Sequence, residues 1–318
     1  IYHYNKSEKK SILKENITIH ENAIIDCSFM SISELQDFIE KEICDCKEKS
    51  MLLSLHLKAS MMKVSDPIIF GHVLKVFFKN FIEKNSTTLE KINVNFNSGL
   101  SNLFEKINQL DKPTKEKLVN EIELNIENGP DLAMVNSEKN ITNFHIPSDV
   151  IIDASMPAMI KSSGKMWNKN GELRDTKAII PDSSYSSIYQ ATIDFCKENG
   201  QFDPAVMGTV QNVGLMAKKA EEYGSHDKTF EIKEDGKVCV ETKDGKVLFT
   251  HNVIKGDIWR MCLVRNEAIK DWVKLAVERA KSTNYPTVFW LDEDRSHDKQ
   301  LIRAVSYTHL RAHETATY

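Results

Sequence analysis

Hydrophobic and polar positions follow two different periods along the chain, and each period predicts one kind of element. Residues 51–58 alternate at period two and predict a strand. Apolar residues at helical spacing predict a helix that opens at Ser31 or Ser33, because either hydroxyl can cap its first turn. The two faces of the predicted strand differ in polarity: Leu53, Leu55 and Leu57 against Ser54, His56 and Lys58.

The same two periods predict helices and strands in the rest of the chain. Further helices are predicted from Pro67 onward and over 111–128, 181–199, 213–223 and 271–281. Further strands are predicted over 11–20 and 287–291, with a hairpin over 233–253 that turns at Asp244-Gly245. Because helices alternate with strands, we expect an α/β fold with a mixed sheet flanked by helices.

The length of 318 residues allows two domains or one large one, at about 150 residues per domain. We expect one partial α/β domain over 1–305, with lobes 1–130 and 131–305. Residues 306–318 continue no periodicity and resemble a translated sequencing adapter, so we expect them to be foreign to the fold. Since the chain begins at Ile1 and not at Met, we expect it to be an internal portion of a larger protein.

Composition narrows the class of protein. Hydrophobic residues make up 41% and charged residues 28%, as in ordinary globular proteins. The 42 Lys and Arg against 46 Asp and Glu give a net charge of −4 without a basic stretch, which argues against nucleic-acid or membrane-surface partners. The six cysteines form no CxxC pair, which disfavours structural zinc and favours a reducing cytoplasm.

Two segments carry polar residues where a predicted strand ends, the usual place for ligands in an α/β sheet. Lys58 shares a strand face with His56 and can be a general base in a cleft or, with Lys63, a solvated edge residue. Asp153 follows the apolar run 150–152 and can hold a cation such as Mg²⁺ or make an Asx turn or helix cap. Residues 154–165 show few helical or strand signals.

A third segment, 220–229, is dense in ionisable side chains. Tyr223 is predicted in the last turn of a helix, with Gly224 after its end, and can be an amphipathic edge residue or a proton donor. The motifs GxGxxG, GxxxxGK[ST] and GxSxG are absent from the sequence. A Rossmann dinucleotide site, a P-loop and a serine-hydrolase triad are therefore disfavoured.

Together these segments resemble the monomeric type of NADP-dependent isocitrate dehydrogenase. Weaker similarity extends from about Ile24 to Arg303, with an interruption around 80–125, and Ser183 and Gln211 depart from residues common in the family. The matching stretches are HLKASMMKVSDPIIFG (56–71), LAMVNSEKNITNFHIPSDVIIDASMPAMIKSSGKMW (132–167), MGTVQNVGLMAKKAEEYGSHDKTFEI (207–232), GDIWRMC (256–262), DWVKLAVERA (271–280) and FWLDE (289–293).

The resemblance implies roles for three residues. Lys58 and Tyr223 match the family's acid/base pair, and Asp153 matches an aspartate that binds Mg²⁺ or Mn²⁺. By analogy Lys58 serves the hydroxyl-proton step when isocitrate is oxidised, and Tyr223 protonates the enol that gives 2-oxoglutarate. The residues that bind NADP, and the remaining metal and substrate ligands, are expected outside this stretch, the coenzyme residues beyond Arg303.

The resemblance also implies an isocitrate/isopropylmalate dehydrogenase-like fold, and not a Rossmann domain. We expect a cytoplasmic monomer that takes a small-molecule substrate, with the 318-residue chain itself inactive. Two alternatives stay open from the sequence. One is a non-catalytic metal- or acid-binding remnant of the same scaffold, and the other is a metal-dependent β-decarboxylating dehydrogenase for another 2-hydroxy acid.

Overall fold

The computed structural model describes residues 1–149, 151–203, 205, 215 and 221–314, and their side chains except those of 183, 184 and 309–314. The chain divides into two compact units, one of Ile1–Phe29 with Gly208–Tyr318 and one of Met30–Met207. The lobe boundary that we expected near residue 130 falls inside the second unit. The reason is backbone pairing, since the Leu53 amide donates to the carbonyl of Asp131 at 2.8 Å.

Strands and helices alternate along most of the chain. The strands are β1 (Tyr2–Asn5), β2 (Lys10–Ile12), β3 (Ile24–Met30), β4 (Leu52–Leu55), β5 (Met134–Asn136), β6 (Ile141–Thr142), β7 (Lys165–Trp167), β8 (Leu173–Ile179), β9 (Thr229–Glu231), β10 (Gly236–Glu241), β11 (Val247–Val253) and β12 (Ile258–Val264). The helices are α1 (Ile32–Glu48), α2 (Ser65–Phe77), α3 (Lys79–Lys91), α4 (Gly99–Ile107), α5 (Lys112–Asn128), α6 (Ile152–Lys161), α7 (Ser183–Asn199), α8 (Asn266–Thr283) and α9 (Ser296–Glu314).

The first unit contains two sheets. One sheet has the order β11-β10-β1-β2, with Tyr2 opposite Cys239, and the other has the order β3-β12-β9. Trp259 is fully buried in the core that these strands enclose, together with Val238 and Met261. The predicted hairpin is confirmed, and Gly245 occupies the left-handed region that its turn requires, with φ +83°.

The second unit contains a mixed sheet in the order β4-β8-β7, where β4 and β8 are parallel and β7 is antiparallel to β8. Every residue of β4 is buried, as is typical of a parallel strand in an α/β sheet. The cap predicted at Ser31 is confirmed, since its hydroxyl accepts from the Glu34 amide. The Asp111 carboxylate also caps a helix and accepts from the Thr114 amide. The α/β class is confirmed, but the described strands form four sheets and not one.

Three further predictions need correction. The stretch 287–291 is irregular and not a buried strand, with Val288 83% and Trp290 78% exposed. Phe289 packs edge-to-face on Trp272 of α8, and Leu291 packs against the same core. The apolar run at 150–152 does not continue as a strand, because Ile152 begins α6, whose buried residues recur at helical spacing as Ile152, Met156 and Met159. The strand predicted over 11–20 ends at Ile12.

Two other predictions concern the segment before Tyr223 and the C-terminal end of the chain. Most of the helix predicted over 213–223 lies outside the described residues, but Glu221 pairs antiparallel with Leu263 and Tyr223 lies in a turn, so the helix does not reach Tyr223. Residues 306–314, which we expected to be foreign to the fold, continue helix α9. In the ranges that the structure covers, none of the helices has the length and apolar composition needed to cross a membrane.

Candidate active site

The end of strand β4 is fixed on both sides by backbone hydrogen bonds. The His56 amide donates to the carbonyl of Ile179 at 2.9 Å, which extends the pairing with β8 by one residue. On the other side the Ile152 amide donates to the carbonyl of Leu57 at 2.8 Å. The chain that carries His56 and Lys58 therefore lies between the end of β8 and the start of α6.

Lys58 is the first residue beyond this fixed stretch. Its backbone amide donates to Oδ2 of the buried Asp66 at 2.7 Å, and its carbonyl accepts from the Met62 amide at 2.8 Å. The Lys58 side chain is 15% exposed, and its Nζ lies 3.3 Å from Oδ1 of Asp153 and 5.0 Å from the ring centroid of Tyr185. The ammonium group thus has a defined place between a carboxylate and an aromatic ring, unlike a solvated edge residue.

Asp153 lies in the first turn of α6, where the helix dipole favours a negative charge. Its side chain is 53% exposed, so its oxygens are accessible from solvent. Within the described ranges no group of three or more His, Cys, Asp or Glu side chains could hold a metal ion. Asp153 can therefore supply one hard oxygen ligand, and any further ligands must come from elsewhere. Mg²⁺ accepts such sites, since it often uses one or two protein carboxylates together with substrate oxygens and water.

His56 connects the strand end to α6 through a side chain. Its Nδ1 lies 2.7 Å from Oγ of Ser155, two residues after Asp153. Burial of the ring lowers the pKa of His56 to about 4, so the imidazole is neutral at physiological pH. Close by, the Tyr189 hydroxyl donates to the carbonyl of Ile152 at 3.2 Å. Burial, and then the charge of Asp153, raise the pKa of Tyr189.

Tyr223 belongs to the first unit and has different neighbours. Its hydroxyl donates to Oδ2 of Asp26 on β3 and shares a hydrogen bond with the thiol of Cys262 on β12. Burial is the largest cause that raises the pKa of Tyr223 far above its ordinary value, and Cys262 and Asp26 add to it. The guanidinium carbon of Arg295 lies 5.5 Å from the centroid of the Tyr223 ring.

The structure brings two of the three predicted site residues together. Lys58 and Asp153 form an ion pair in the second unit, and Tyr223 lies in the first unit. Lys63 is exposed, which agrees with its interpretation as a solvated residue at the strand edge. Sequence reasoning missed Asp26, Tyr185 and Arg295, whose positions depend on long-range pairing. For Arg295 the sequence offered one local signal, a polar run next to an apolar stretch. The sequence around Asp26 and Tyr185 offered none.

The comparisons with known proteins decide the family. A protein-family model described as monomeric isocitrate dehydrogenase matches residues 1–318. The chain belongs to the monomeric isocitrate dehydrogenase family. This membership confirms the resemblance that the sequence motifs indicated.

Curated members of this family are about half identical to the chain. An NADP isocitrate dehydrogenase 2 of Colwellia maris is 51% identical over 310 residues, which cover 98% of this chain and 42% of the relative. One of Mycobacterium tuberculosis is 51% identical over 311 residues, with the same coverage. An NADP isocitrate dehydrogenase of Azotobacter vinelandii is 50% identical over 311 residues, again 98% of this chain and 42% of the relative. The chain therefore spans less than half the length of these relatives.

Proposed function

We propose that this chain is the part of an NADP-dependent isocitrate dehydrogenase that carries its proton-transfer residues. The reaction is the oxidation of isocitrate at its C2 hydroxyl, followed by loss of CO₂ and protonation to 2-oxoglutarate. The names of the curated relatives support the substrate and the coenzyme. The observation that carries the proposal is the pairing of Lys58 with Asp153 at the end of a buried strand.

Lys58 is the residue we assign to the hydroxyl proton. The Asp66 carboxylate holds its backbone, and Tyr185 and Asp153 hold its ammonium group, so the amine has a fixed position when it accepts a proton in its neutral form. Asp153 is one candidate protein ligand for Mg²⁺ or Mn²⁺, on the strength of its exposed oxygens. When bound, such a cation supplies positive charge beside the hydroxyl and carboxylate oxygens of isocitrate.

Tyr223 is the residue we assign to protonation of the enol. A general acid must hold its proton until it is needed, and the burial of Tyr223 beside Asp26 keeps the phenol neutral at physiological pH. We assign no residue of this chain to NADP, which serves as hydride acceptor. We also propose that the protein acts as a monomer, as the family description implies, in a reducing cytoplasm, which the six free cysteines favour.

A chimera tests the proposal. In the Azotobacter vinelandii relative, the segment that matches residues 24–303 is replaced by those residues of this chain, and NADPH formation is measured with isocitrate and Mg²⁺. We expect activity with isocitrate and none from the 318-residue chain alone. A folded chimera that uses malate or an isopropylmalate analogue in place of isocitrate would support another β-decarboxylating dehydrogenase. A folded chimera inactive with every substrate would support a non-catalytic remnant of the scaffold.

A further inference from the structure

The carboxylate of Asp26 is held in one orientation by two hydrogen bonds. Its Oδ1 accepts from the backbone amide of Cys27 at 2.9 Å, and its Oδ2 accepts from the Tyr223 hydroxyl. Asp26 lies on β3 and Cys262 on β12, which are neighbours in the same sheet. The phenol oxygen of Tyr223 therefore meets two side chains presented by adjacent strands, and its position depends on the sheet.

Other charged and titratable groups lie near Tyr223 or near its partner Asp26. Arg295, just before α9, places its guanidinium over the Tyr223 ring at 5.5 Å, and the ring of His297 on α9 lies 5.8 Å away. On β11, burial lowers the pKa of His251, and the charge of Asp26 partly opposes that shift. On β12, burial raises the pKa of the Cys262 thiol to about 12, so it stays neutral. Among these groups, Asp26 is the one whose charge faces the phenol oxygen directly.

We propose that Asp26 is a positioning residue for Tyr223, which orients the phenol and keeps its proton in place until the enol is protonated. This inference rests on the proposed function. In that step the Tyr223 O–H bond breaks and its electron pair stays on the phenol oxygen, while the C=C electron pair of the enol forms the new C–H bond. The enol O–H bond breaks as the carbonyl of 2-oxoglutarate forms, and its proton leaves to water, from which the phenolate recovers a proton. Two adjacent negative charges are unfavourable, so Asp26 favours this recovery.

The same unit contains a matched tyrosine and carboxylate pair. The Tyr4 hydroxyl donates to Oε1 of Glu241 at 2.5 Å, and this hydrogen bond is the largest cause that raises the pKa of Tyr4. Lys10 binds the other oxygen of Glu241 at 2.8 Å and opposes that shift. Glu241→Gln therefore removes a carboxylate charge from a tyrosine far from Tyr223 in sequence, and serves as the control for Asp26→Asn.

The test is a pH titration of the 318-residue chain by NMR, with tyrosine labelled with ¹³C at Cζ. The Tyr223 resonance is identified by its loss in Tyr223→Phe. We expect no titration of Tyr223 up to about pH 11 in the original chain, and the beginning of a titration within that range in Asp26→Asn. Glu241→Gln should leave the Tyr223 resonance unchanged, and Asp26→Glu should restore the original behaviour in part.

Other outcomes would overturn the inference. They are the absence of any Tyr223 titration up to about pH 11 in Asp26→Asn, the same change of Tyr223 in Glu241→Gln, or loss of the folded circular dichroism spectrum in both Asp26→Asn and Asp26→Ser. The last result would assign Asp26 to the fold and not to Tyr223.

The chimera separates this inference from the proposed function. There Asp26→Asn should lower kcat, by less than the ~10²- to 10⁴-fold loss expected for Tyr223→Phe, and leave KM for isocitrate nearly unchanged. A chimera that is inactive with isocitrate would refute the proposed function, while the NMR shift would still report whether Asp26 controls Tyr223. An active chimera whose kcat is unaffected by Asp26→Asn would refute the inference alone.

Discussion

The surroundings of Lys58 and of Tyr223 differ in charge and in access. At the strand-end site, which comprises Lys58, Asp153, His56 and Ser155, opposite charges face each other and the Asp153 side chain is 53% exposed. In the tyrosine cluster, which comprises Tyr223, Asp26, Cys262 and Arg295, a neutral phenol donates to a carboxylate and burial holds its proton. The difference teaches that the same kind of partner, a carboxylate, serves an accessible ion pair at one site and a buried hydrogen bond from a neutral group at the other.

Removal of the Lys58 amine should have the largest effect and should leave the tyrosine cluster intact. In the active chimera, Lys58→Met should lower kcat with isocitrate by ~10²- to 10⁴-fold, because the group that accepts the hydroxyl proton is lost while the aliphatic stem is kept. The same variant of the 318-residue chain should keep the Tyr223 NMR behaviour described above.

Lys63→Met is the matched control for Lys58→Met. Lys63 lies five residues later in the same loop and is exposed. Its removal should leave kcat within about twofold, since a surface change of this kind costs at most ~0.5 kcal/mol. Equal losses of activity in the two variants would remove the basis for assigning the proton step to Lys58.

Acid should destabilise the strand-end site before it disturbs the tyrosine cluster. The unfolded chain binds a proton at an ordinary histidine near pH 6.5, whereas burial lowers the pKa of folded His56 to about 4. Between these values the unfolded state binds more protons, so the free energy of unfolding decreases as the pH falls, by about 3 kcal/mol for this group alone. Its Nε2 is buried without a hydrogen-bond partner in the described part of the chain, so a proton there would not be satisfied.

Urea unfolding of the second unit, measured at several pH values from 7 to 4, checks this prediction. In His56→Gln the free energy of unfolding should depend less steeply on pH than in the original chain. Equal slopes for the two proteins would show that His56 is not the group responsible.

Loss of the Ser155 hydroxyl should have a smaller effect, confined to the second unit. Ser155→Ala leaves the buried Nδ1 of His56 without its hydrogen-bond partner at 2.7 Å, which typically costs about 1–3 kcal/mol of stability. Ser162→Ala, at the other end of α6, is the control and should cost less. If the two variants were equally stable, the His56 and Ser155 contact would not be what joins the strand end to the helix.

Local patterns predicted the elements whose signals are contained in a few neighbouring residues. Ser31 caps α1 as expected, and α5 begins at Lys112, close to the start of its predicted range, because the signals that begin a helix lie within one turn. The stretch 287–291 is an apolar run typical of a buried strand, but Trp290 stays 78% exposed because no described strand pairs with it. An apolar run alone does not supply a partner.

The residues of the candidate site also differ in whether local sequence signals predict them. Lys58 and Asp153 could be predicted because each lies where an apolar run ends, and the family motifs marked both. Asp26 could not, because it meets Tyr223 across 197 positions of sequence through the pairing of β3 with β12. Contacts of that kind depend on sheet order, which the spacing of residues in one segment does not determine.

The smallest predicted effect concerns the ring face of Tyr223. Arg295→Gln removes a guanidinium 5.5 Å from the ring centroid, and a cation–π contact at a partly exposed site is worth about 0.5–1 kcal/mol. Arg303→Gln, on an exposed position of α9, removes the same charge without that contact and should change stability less. Urea unfolding gives the stability difference, and the Tyr223 resonance should move only in Arg295→Gln, because only that variant changes the charge over the ring. If the two variants had equal stability and the same Tyr223 resonance, the guanidinium of Arg295 would contribute nothing to the tyrosine cluster. Asp26 and Cys262 would then be the partners that hold Tyr223, and the cluster would differ from the strand-end site in having no cation that takes part.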